Sequence, residues 1–170
     1  SFFFGLAMRR YSWRAKSASK YHELVRSLDD ASAEAAVLAQ WDDANRLGTE
    51  THLVCERVLN GEDAGPEASN VAKELSQFKS FLADHPTLEP YRTELSLFYT
   101  RPDGSVSVCG QLDALLKCSE TGAVVMIDFK RTNHSLTPNT HSFGREGLGV
   151  LEGIPANDFH KYSLQLSLYS

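Results

Sequence analysis

Apolar residues recur at helical spacing through the first half of the chain. Residues 32–46 are rich in Ala, Leu and Glu, which favour helices. Gly and Pro residues mark where helices stop, because neither is favoured inside one. The pattern predicts three helices: 32–46 ending near Gly48, 49–61 with Thr49 as its cap, and a third that opens at Pro66 and Glu67 and runs to Pro86.

The pattern changes to strict alternation from residue 91 onwards. It predicts three strands, 91–100, 106–118 and 123–131, joined by the short turns RPDGS and SETG. Short turns imply an antiparallel meander. The four apolar residues Val124–Ile127 predict a strand covered on both faces. Because side chains alternate along a strand, Asp128 and Lys130 are expected to point the same way, with their charges meeting near the strand's end.

Residues 133–157 carry Gly, Pro, Asn and Ser without a period, which predicts a long loop. A last helix is predicted from residue 158, capped by Asn157 or Asp158. The order of helices, meander and helix indicates an α+β fold, or α/β with a mixed sheet. At 170 residues the chain suits one domain, so we expect an N-terminal basic segment over 1–30 and a single domain over 31–170.

The net charge of −5 provides no overall attraction to nucleic acid. A nucleic-acid partner would therefore need a local basic surface. Residues 8–26 hold six Arg and Lys residues against the single Glu23. That stretch is either such a surface or an ordinary solvated helix face.

The three cysteines lack the pair spacing of zinc sites and are too few for a disulfide framework. They favour an intracellular, reducing compartment. No apolar stretch approaches the ~20 residues of a membrane span, so no membrane partner is expected. The sequence starts without Met and stops inside an apolar pattern, which suggests a fragment of a longer protein with other domains.

Acidic residues on two neighbouring predicted strands carry the candidate chemistry. A surface pair such as Asp128 and Lys130 contributes under about 1 kcal/mol, so their spacing alone proves nothing. Asp113, however, lies inside the apolar run CGQLDALL, where a carboxylate is costly unless it has a partner. Two carboxylates beside a lysine suggest a divalent cation such as Mg²⁺. Gly110 leaves room for a close approach of backbone.

Four short motifs together resemble the PD-(D/E)XK nuclease superfamily, specifically its RecB-like branch. They are, in order, GTETHLVCE (48–56), GQLD (110–113), IDFK (127–130) and QLSLY (165–169). The resemblance implies a restriction-endonuclease-like core. In that core, helices flank the three-stranded antiparallel meander, and a C-terminal strand, expected beyond this fragment, extends it as a mixed sheet.

The resemblance also implies roles for individual residues. Lys130 would orient or activate the attacking water and stabilise developing charge, while Gln165 and Tyr169 would position Lys130 or the nucleic-acid backbone. The implied metal ligands are His52, Asp113, Asp128 and the backbone carbonyl of Phe129, with Glu94 at the first-strand acidic position and Glu56 as a further contact.

The implied activity is hydrolysis of DNA phosphodiester bonds with Mg²⁺ or Mn²⁺, leaving 5′-phosphate ends. Metal ions can both activate water and neutralise developing charge. No element resembles a base-reading helix, which favours single strands or free ends as substrate. RNA, and the choice between exonuclease and endonuclease action, stay open. Some RecB-like nucleases hold an Fe–S cluster through four cysteines, whereas this chain has three at other spacings, so no cluster is expected.

Other interpretations stay open at the same residues. The domain could bind nucleic acid or serve a structural role without cutting, or be an unrelated metal-binding α+β domain. His52 could be a core histidine, and Glu56 could orient His52, contact metal through water, or form a surface salt bridge. Gln165 and Tyr169 could be a plain helix pair. Arg131 and Lys161 could contact phosphates or be ordinary surface charges.

Overall fold

The computed structural model describes residues 21–132, 134–139, 142 and 144–170. The chain divides into two compact units, one ending at Thr49 and the other from Glu50 to Ser170. Most of the predicted basic stretch lies outside the described residues. The helices are α1 (His22–Val25), α2 (Asp30–Leu59), α3 (Ala72–Asp84) and α4 (Asp158–Tyr169), and the strands are β1 (Leu88–Thr100), β2 (Val106–Cys118) and β3 (Val124–Ile127).

The described residues form an α+β fold, as predicted. The three strands make one antiparallel sheet in the order β1-β2-β3, so the predicted meander is confirmed. In the described part of the chain, no helix combines the length and the apolar character needed to cross a membrane.

The prediction of two helices divided at Gly48 is wrong. Helix α2 runs unbroken for 30 residues from Asp30 to Leu59. Thr49 is therefore not a cap, and its hydroxyl donates to the backbone carbonyl of Asn45, one turn earlier. A glycine inside a helix costs only about 1 kcal/mol, which the continuing backbone hydrogen bonds of a long helix can offset.

Two other boundaries also differ from the prediction. Pro66 begins a 3₁₀ turn, Pro66–Ser69, and the α-helix proper starts only at Ala72. Strand β1 begins at Leu88, earlier than expected, and it includes Pro90. Proline cannot donate to the ladder, and the pairing with β2 shifts register between Pro90 and Arg92.

Strand β3 is shorter and more exposed than predicted. It covers Val124–Ile127, so Asp128 and Lys130 lie just past its end. Val124 is 55% exposed and Val125 37%, so the prediction of a strand covered on both faces is wrong. In the described sheet β3 has a neighbour on one side only, and an edge strand is covered less completely than a central one.

The core of the second unit joins α2, α3 and the sheet. Its buried residues are Cys55, Leu59, Phe78, Ala114 and Leu116, with Ile127 and Phe129 among the partly buried residues packed against them. Burial of this set fixes the C-terminal half of α2 beside the middle of β2, which is where the candidate site forms. A smaller cluster in the first unit comprises Val25, Ala33 and Val37.

The described residues of the segment before the last helix are irregular, as predicted, apart from a short 3₁₀ turn at Gly149–Leu151 and an isolated bridge between Glu146 and Pro155. Asn157 caps α4, since its side-chain oxygen accepts from the backbone N–H of His160 at 3.0 Å. This cap fixes where α4 starts and hence which face its later residues present.

Candidate metal centre

Three side chains from three separate elements converge in the second unit. His52 comes from α2, Glu94 from β1 and Asp113 from β2, and one potential ligand atom of each lies within 4.8 Å of the others. His52 Nδ1 lies 3.1 Å from Asp113 Oδ1. The helix motif and the mid-strand aspartate, far apart in sequence, therefore meet.

Strand register explains how Glu94 joins this group. Thr93 pairs with Ala114 and Leu95 with Leu112, so Glu94 lies opposite Asp113. The Gln111 amide donates to Glu94 Oε2 at 2.6 Å and holds the carboxylate in place.

The backbone of Glu94 is itself unusual. Among the described residues, Glu94 is the non-glycine residue with a positive φ, which is +50°. A residue held in this left-handed region costs on the order of 1–3 kcal/mol, and such strain is concentrated at functional sites.

Asp113 is a buried carboxylate held by two donors. It is 8% exposed, and Oδ2 accepts from the backbone N–H of Phe129 while Oδ1 faces His52. Burial alone would raise the pKa of Asp113, but the hydrogen bonds from His52 and Phe129, with the positive charge of Lys130 nearby, hold that pKa below its usual range. Asp113 is thus ionised at neutral pH despite its burial.

The neighbouring groups carry an excess of negative charge. Burial, together with the charges of Glu56 and Asp113, raises the pKa of Glu94. The hydrogen bond to Asp113 outweighs burial and raises the pKa of His52. Both shifts mean that the site favours added positive charge, whether a proton or a metal ion.

A second cluster lies past the end of β3. Lys130 Nζ is 2.5 Å from Asp128 Oδ2, so the prediction that these two charges meet is confirmed. The Gln165 amide donates to Asp128 Oδ1 at 3.1 Å and to the Tyr169 hydroxyl at 3.3 Å. Lys130 Nζ also lies 5.3 Å from the centre of the Tyr162 ring, a cation–π contact.

Phe129 joins the two clusters. Its backbone N–H donates to Asp113, and its ring makes edge contacts with His52 and with Phe78, at centroid distances of 5.9 and 5.2 Å. The contact seen at Phe129 is thus made by its N–H, while a ligand role for its carbonyl stays a prediction. Asp128 lies in the second cluster and is not a member of the three-residue group.

Gly110 has a different use from the one expected. The tyrosine ring of Tyr169 occupies the space where a side chain at position 110 would begin, with Cε1 and Cζ 2.6 and 2.7 Å from an ideal Cβ. The glycine therefore admits a ring from α4 rather than a backbone segment. This contact joins the GQLD and QLSLY motifs directly.

Some contacts were not foreseen from the sequence. Tyr162 was not assigned a role, although its spacing from Gln165 and Tyr169 places all three on one face of α4. Arg131 and Lys161, considered above as phosphate contacts or surface charges, pair within the protein with Glu74 and Asp158 at 2.8 and 3.2 Å.

An open cavity of about 510 Å³ lies beside the second cluster. Asp128, Lys130 and Arg131 contribute its charged side, and Phe78, Phe81 and Leu166 are among its apolar lining. The lysine is 25% exposed, so its ammonium can be approached from solvent.

The donor set of His52, Glu94 and Asp113, two carboxylates and one imidazole, has the chemistry of a site for a divalent cation. Comparison of the chain with models of protein families, with curated proteins and with solved structures finds no match in any of the three.

Proposed function

We propose that this chain is a divalent-metal-dependent nuclease of the PD-(D/E)XK type, RecB-like branch, that hydrolyses phosphodiester bonds of DNA. The observation that carries the proposal is the convergence of His52, Glu94 and Asp113 from α2, β1 and β2 within 4.8 Å. Each belongs to an element that the motif resemblance associates with metal binding. In the proposed restriction-endonuclease-like core the meander is extended as a mixed sheet.

The proposed cation is Mg²⁺ or Mn²⁺, held by His52, Glu94 and Asp113. The raised pKa of Glu94 reflects burial and the nearby charges of Glu56 and Asp113, which a cation would offset. An imidazole ligand suits Mn²⁺ better than Mg²⁺. When bound, such an ion makes water nucleophilic near neutral pH and neutralises charge on a phosphoryl oxygen.

Lys130 supplies the second positive group. Its ammonium is held by Asp128 at 2.5 Å and by the Tyr162 ring, at the side of the site facing the cavity. From there it orients the attacking water and stabilises charge that develops on the phosphoryl group. Gln165 and Tyr169 act through Asp128: they fix the carboxylate that fixes the lysine.

The proposed substrate is DNA presented as single strands or free ends. No element of the sequence resembles a base-reading helix, and the motif resemblance implies products with 5′-phosphate ends. Hydrolysis by this site requires only that a phosphate reach the ligand group and Lys130.

The test uses purified chain with labelled single-stranded DNA, duplex DNA and RNA, in Mg²⁺, Mn²⁺ or EDTA. Asp113→Asn and Asp128→Asn should each abolish cutting while the circular dichroism spectrum is unchanged. Asp42→Asn, at an exposed position of α2 outside both clusters, is the matched control and should cut normally. Cutting that persists in EDTA would reject the metal-dependent mechanism, and binding without any cutting would support a non-cleaving nuclease-like domain.

A further inference from the structure

Strands β1 and β2 extend well beyond β3. The pairing of β3 with β2 runs from Lys117 to Ala114, where β3 ends. From Leu95 and Leu112 onwards, β1 and β2 pair with each other as a two-stranded ribbon that closes in the turn after Thr100. We call residues 95–112 the arm. Glu94 and Asp113, both in the candidate metal centre, are the residues from which the arm departs.

Aromatic side chains on the arm are exposed. Phe98 is 70% exposed and Tyr99 62% exposed, and as adjacent strand residues they point to opposite faces. Single exposed hydrophobic residues are common on protein surfaces. Here two neighbouring rings cover both faces of one ribbon, with Val108, the cross-strand partner of Tyr99, also 40% exposed. Exposed apolar side chains gathered on one ribbon make the arm a candidate interaction surface.

The position of Phe98 relates this patch to the site. Phe98 pairs with Cys109, and residues 109, 111 and 113 share one face of β2 because side chains alternate. The ring is therefore on the same face as the Asp113 carboxylate, four residues away along β2, or about 13 Å at strand spacing.

Both rings also border a cavity that leads toward α4. This cavity, of about 150 Å³, lies at the base of the arm and is lined by Phe98, Tyr99, Gly110 and Tyr169, among others. The Tyr169 hydroxyl accepts from Gln165, which holds Asp128. Apolar surface thus continues from the arm to the second cluster.

We propose that the arm binds an unpaired nucleic-acid strand, whose bases stack on Phe98 and Tyr99, and guides it to the site. This proposal rests on the proposed nuclease function. Bases stack on exposed aromatic rings whatever their sequence, which suits an enzyme without a base-reading helix. Arg101, exposed at the end of the arm and without an ion pair in the described part of the chain, is placed to contact a phosphate. Asp103, the other charge of the turn, accepts hydrogen bonds from Ser105.

Binding is measured by fluorescence anisotropy with labelled oligo(dT), in EDTA so that no cutting contributes. Phe98→Ala and Tyr99→Ala should each weaken binding by roughly 5- to 100-fold, the range expected for one lost base stack. Tyr91→Ala is the matched control: Tyr91 is 65% exposed on the same strand, but at its other end. That variant should bind within about twofold of the wild type.

Two further comparisons separate stacking from other kinds of contact. Phe98→Leu keeps apolar bulk but loses the flat ring, so it should bind as weakly as Phe98→Ala, whereas Phe98→Trp should restore binding. An oligomer of the same length made of abasic sites loses the stacks on both rings, so it should bind the wild type more weakly than oligo(dT) binds either Ala variant. Thermal melting of each variant confirms that the second unit is folded, and equal binding by wild type and ring variants overturns the proposal.

The alternative partners give different results. If the arm enters a duplex groove, a hairpin duplex will bind more tightly than oligo(dT). If it docks a protein, oligo(dT) will bind wild type and ring variants equally weakly, and Phe98→Leu will change nothing. Either result overturns the proposal.

The same variants keep this proposal distinct from the proposed function. Cutting is measured separately in Mn²⁺. If the wild type binds through the rings but never cuts, the arm proposal is supported and the nuclease function is wrong. The opposite outcome has the wild type cutting and Asp113→Asn inactive, while the ring variants bind and cut as the wild type does. In that case the nuclease function stands and the arm proposal fails.

Discussion

Replacing Gly110 with alanine tests the packing between β2 and α4. The added methyl group would lie 2.6 and 2.7 Å from Cε1 and Cζ of Tyr169. Ordinary carbon contacts are about 3.5–4.0 Å, so the ring must move by about 1 Å. Overpacking costs about 1–3 kcal/mol, and alanine in place of a strand glycine recovers roughly 0.5–1 kcal/mol. Because Tyr169 lies in the last turn of α4 and its ring is partly exposed, we expect a net loss near 1 kcal/mol.

A double-mutant cycle isolates this clash. The free energy of unfolding in urea is measured for wild type, Gly110→Ala, Tyr169→Ala and the double variant. Without the ring, Gly110→Ala should be neutral or slightly stabilising, which gives a coupling energy of about 1–3 kcal/mol. Gly48→Ala is the control, since no heavy atom lies within 4 Å of its added methyl group and the helix should gain about 1 kcal/mol. Additive effects of the two single changes would refute the clash.

Four further predictions concern the site residues and the cysteines. Lys130→Ala should lower the cutting rate by at least ~10²-fold but leave metal affinity unchanged by calorimetry; loss of both would make the lysine structural. His52→Ala should raise the metal concentration for half-maximal cutting ~10 to 100-fold, with partial rescue by Mn²⁺, and an unchanged titration would reject its role as a ligand. In metal-free protein the pKa of His52 is raised and that of Asp113 is lowered, so their pair stabilises the fold most between about pH 3.8 and 6.5. The contribution of the pair to the free energy of unfolding falls when the pH rises through the raised histidine pKa. It also falls when the pH drops through the lowered aspartate pKa. The melting-temperature difference between wild type and Asp113→Asn should follow that window, and a flat difference would contradict it. Iodoacetamide should modify exposed Cys109 readily but not Cys55, whose pKa burial raises to about 12; equal rates by mass spectrometry would contradict the structure.

Local signals were enough to predict the sheet and part of the site. Alternation and two short turns predicted the meander, because register in a hairpin follows from its turn. The spacing of Asp128 and Lys130 predicted that their charges meet, and a capping residue predicted the start of α4. Each of these features depends on residues close together in sequence.

The parts that sequence did not predict depend on contacts between distant residues. Whether Gly48 ends a helix depends on what the following residues pack against, and here α2 continues. The length of β3 depends on the neighbours it acquires. The ring of Tyr169 beside Gly110 joins residues far apart in the chain. The left-handed backbone of Glu94 is not encoded by a glycine, so no local pattern announces it.

The outer side of β1 has a consequence for solubility. In the sheet formed by the described residues, β1 is an edge strand of 13 residues. Such an edge presents open hydrogen-bonding groups on which another chain can aggregate, more so when aromatic residues are exposed along it. In β1 this edge is interrupted, because Pro90 lacks an N–H and the left-handed Glu94 breaks the extended backbone. Only short stretches of regular edge are left between these points. The same residue that contributes a carboxylate to the site therefore also limits how long a β-ladder a second molecule could add.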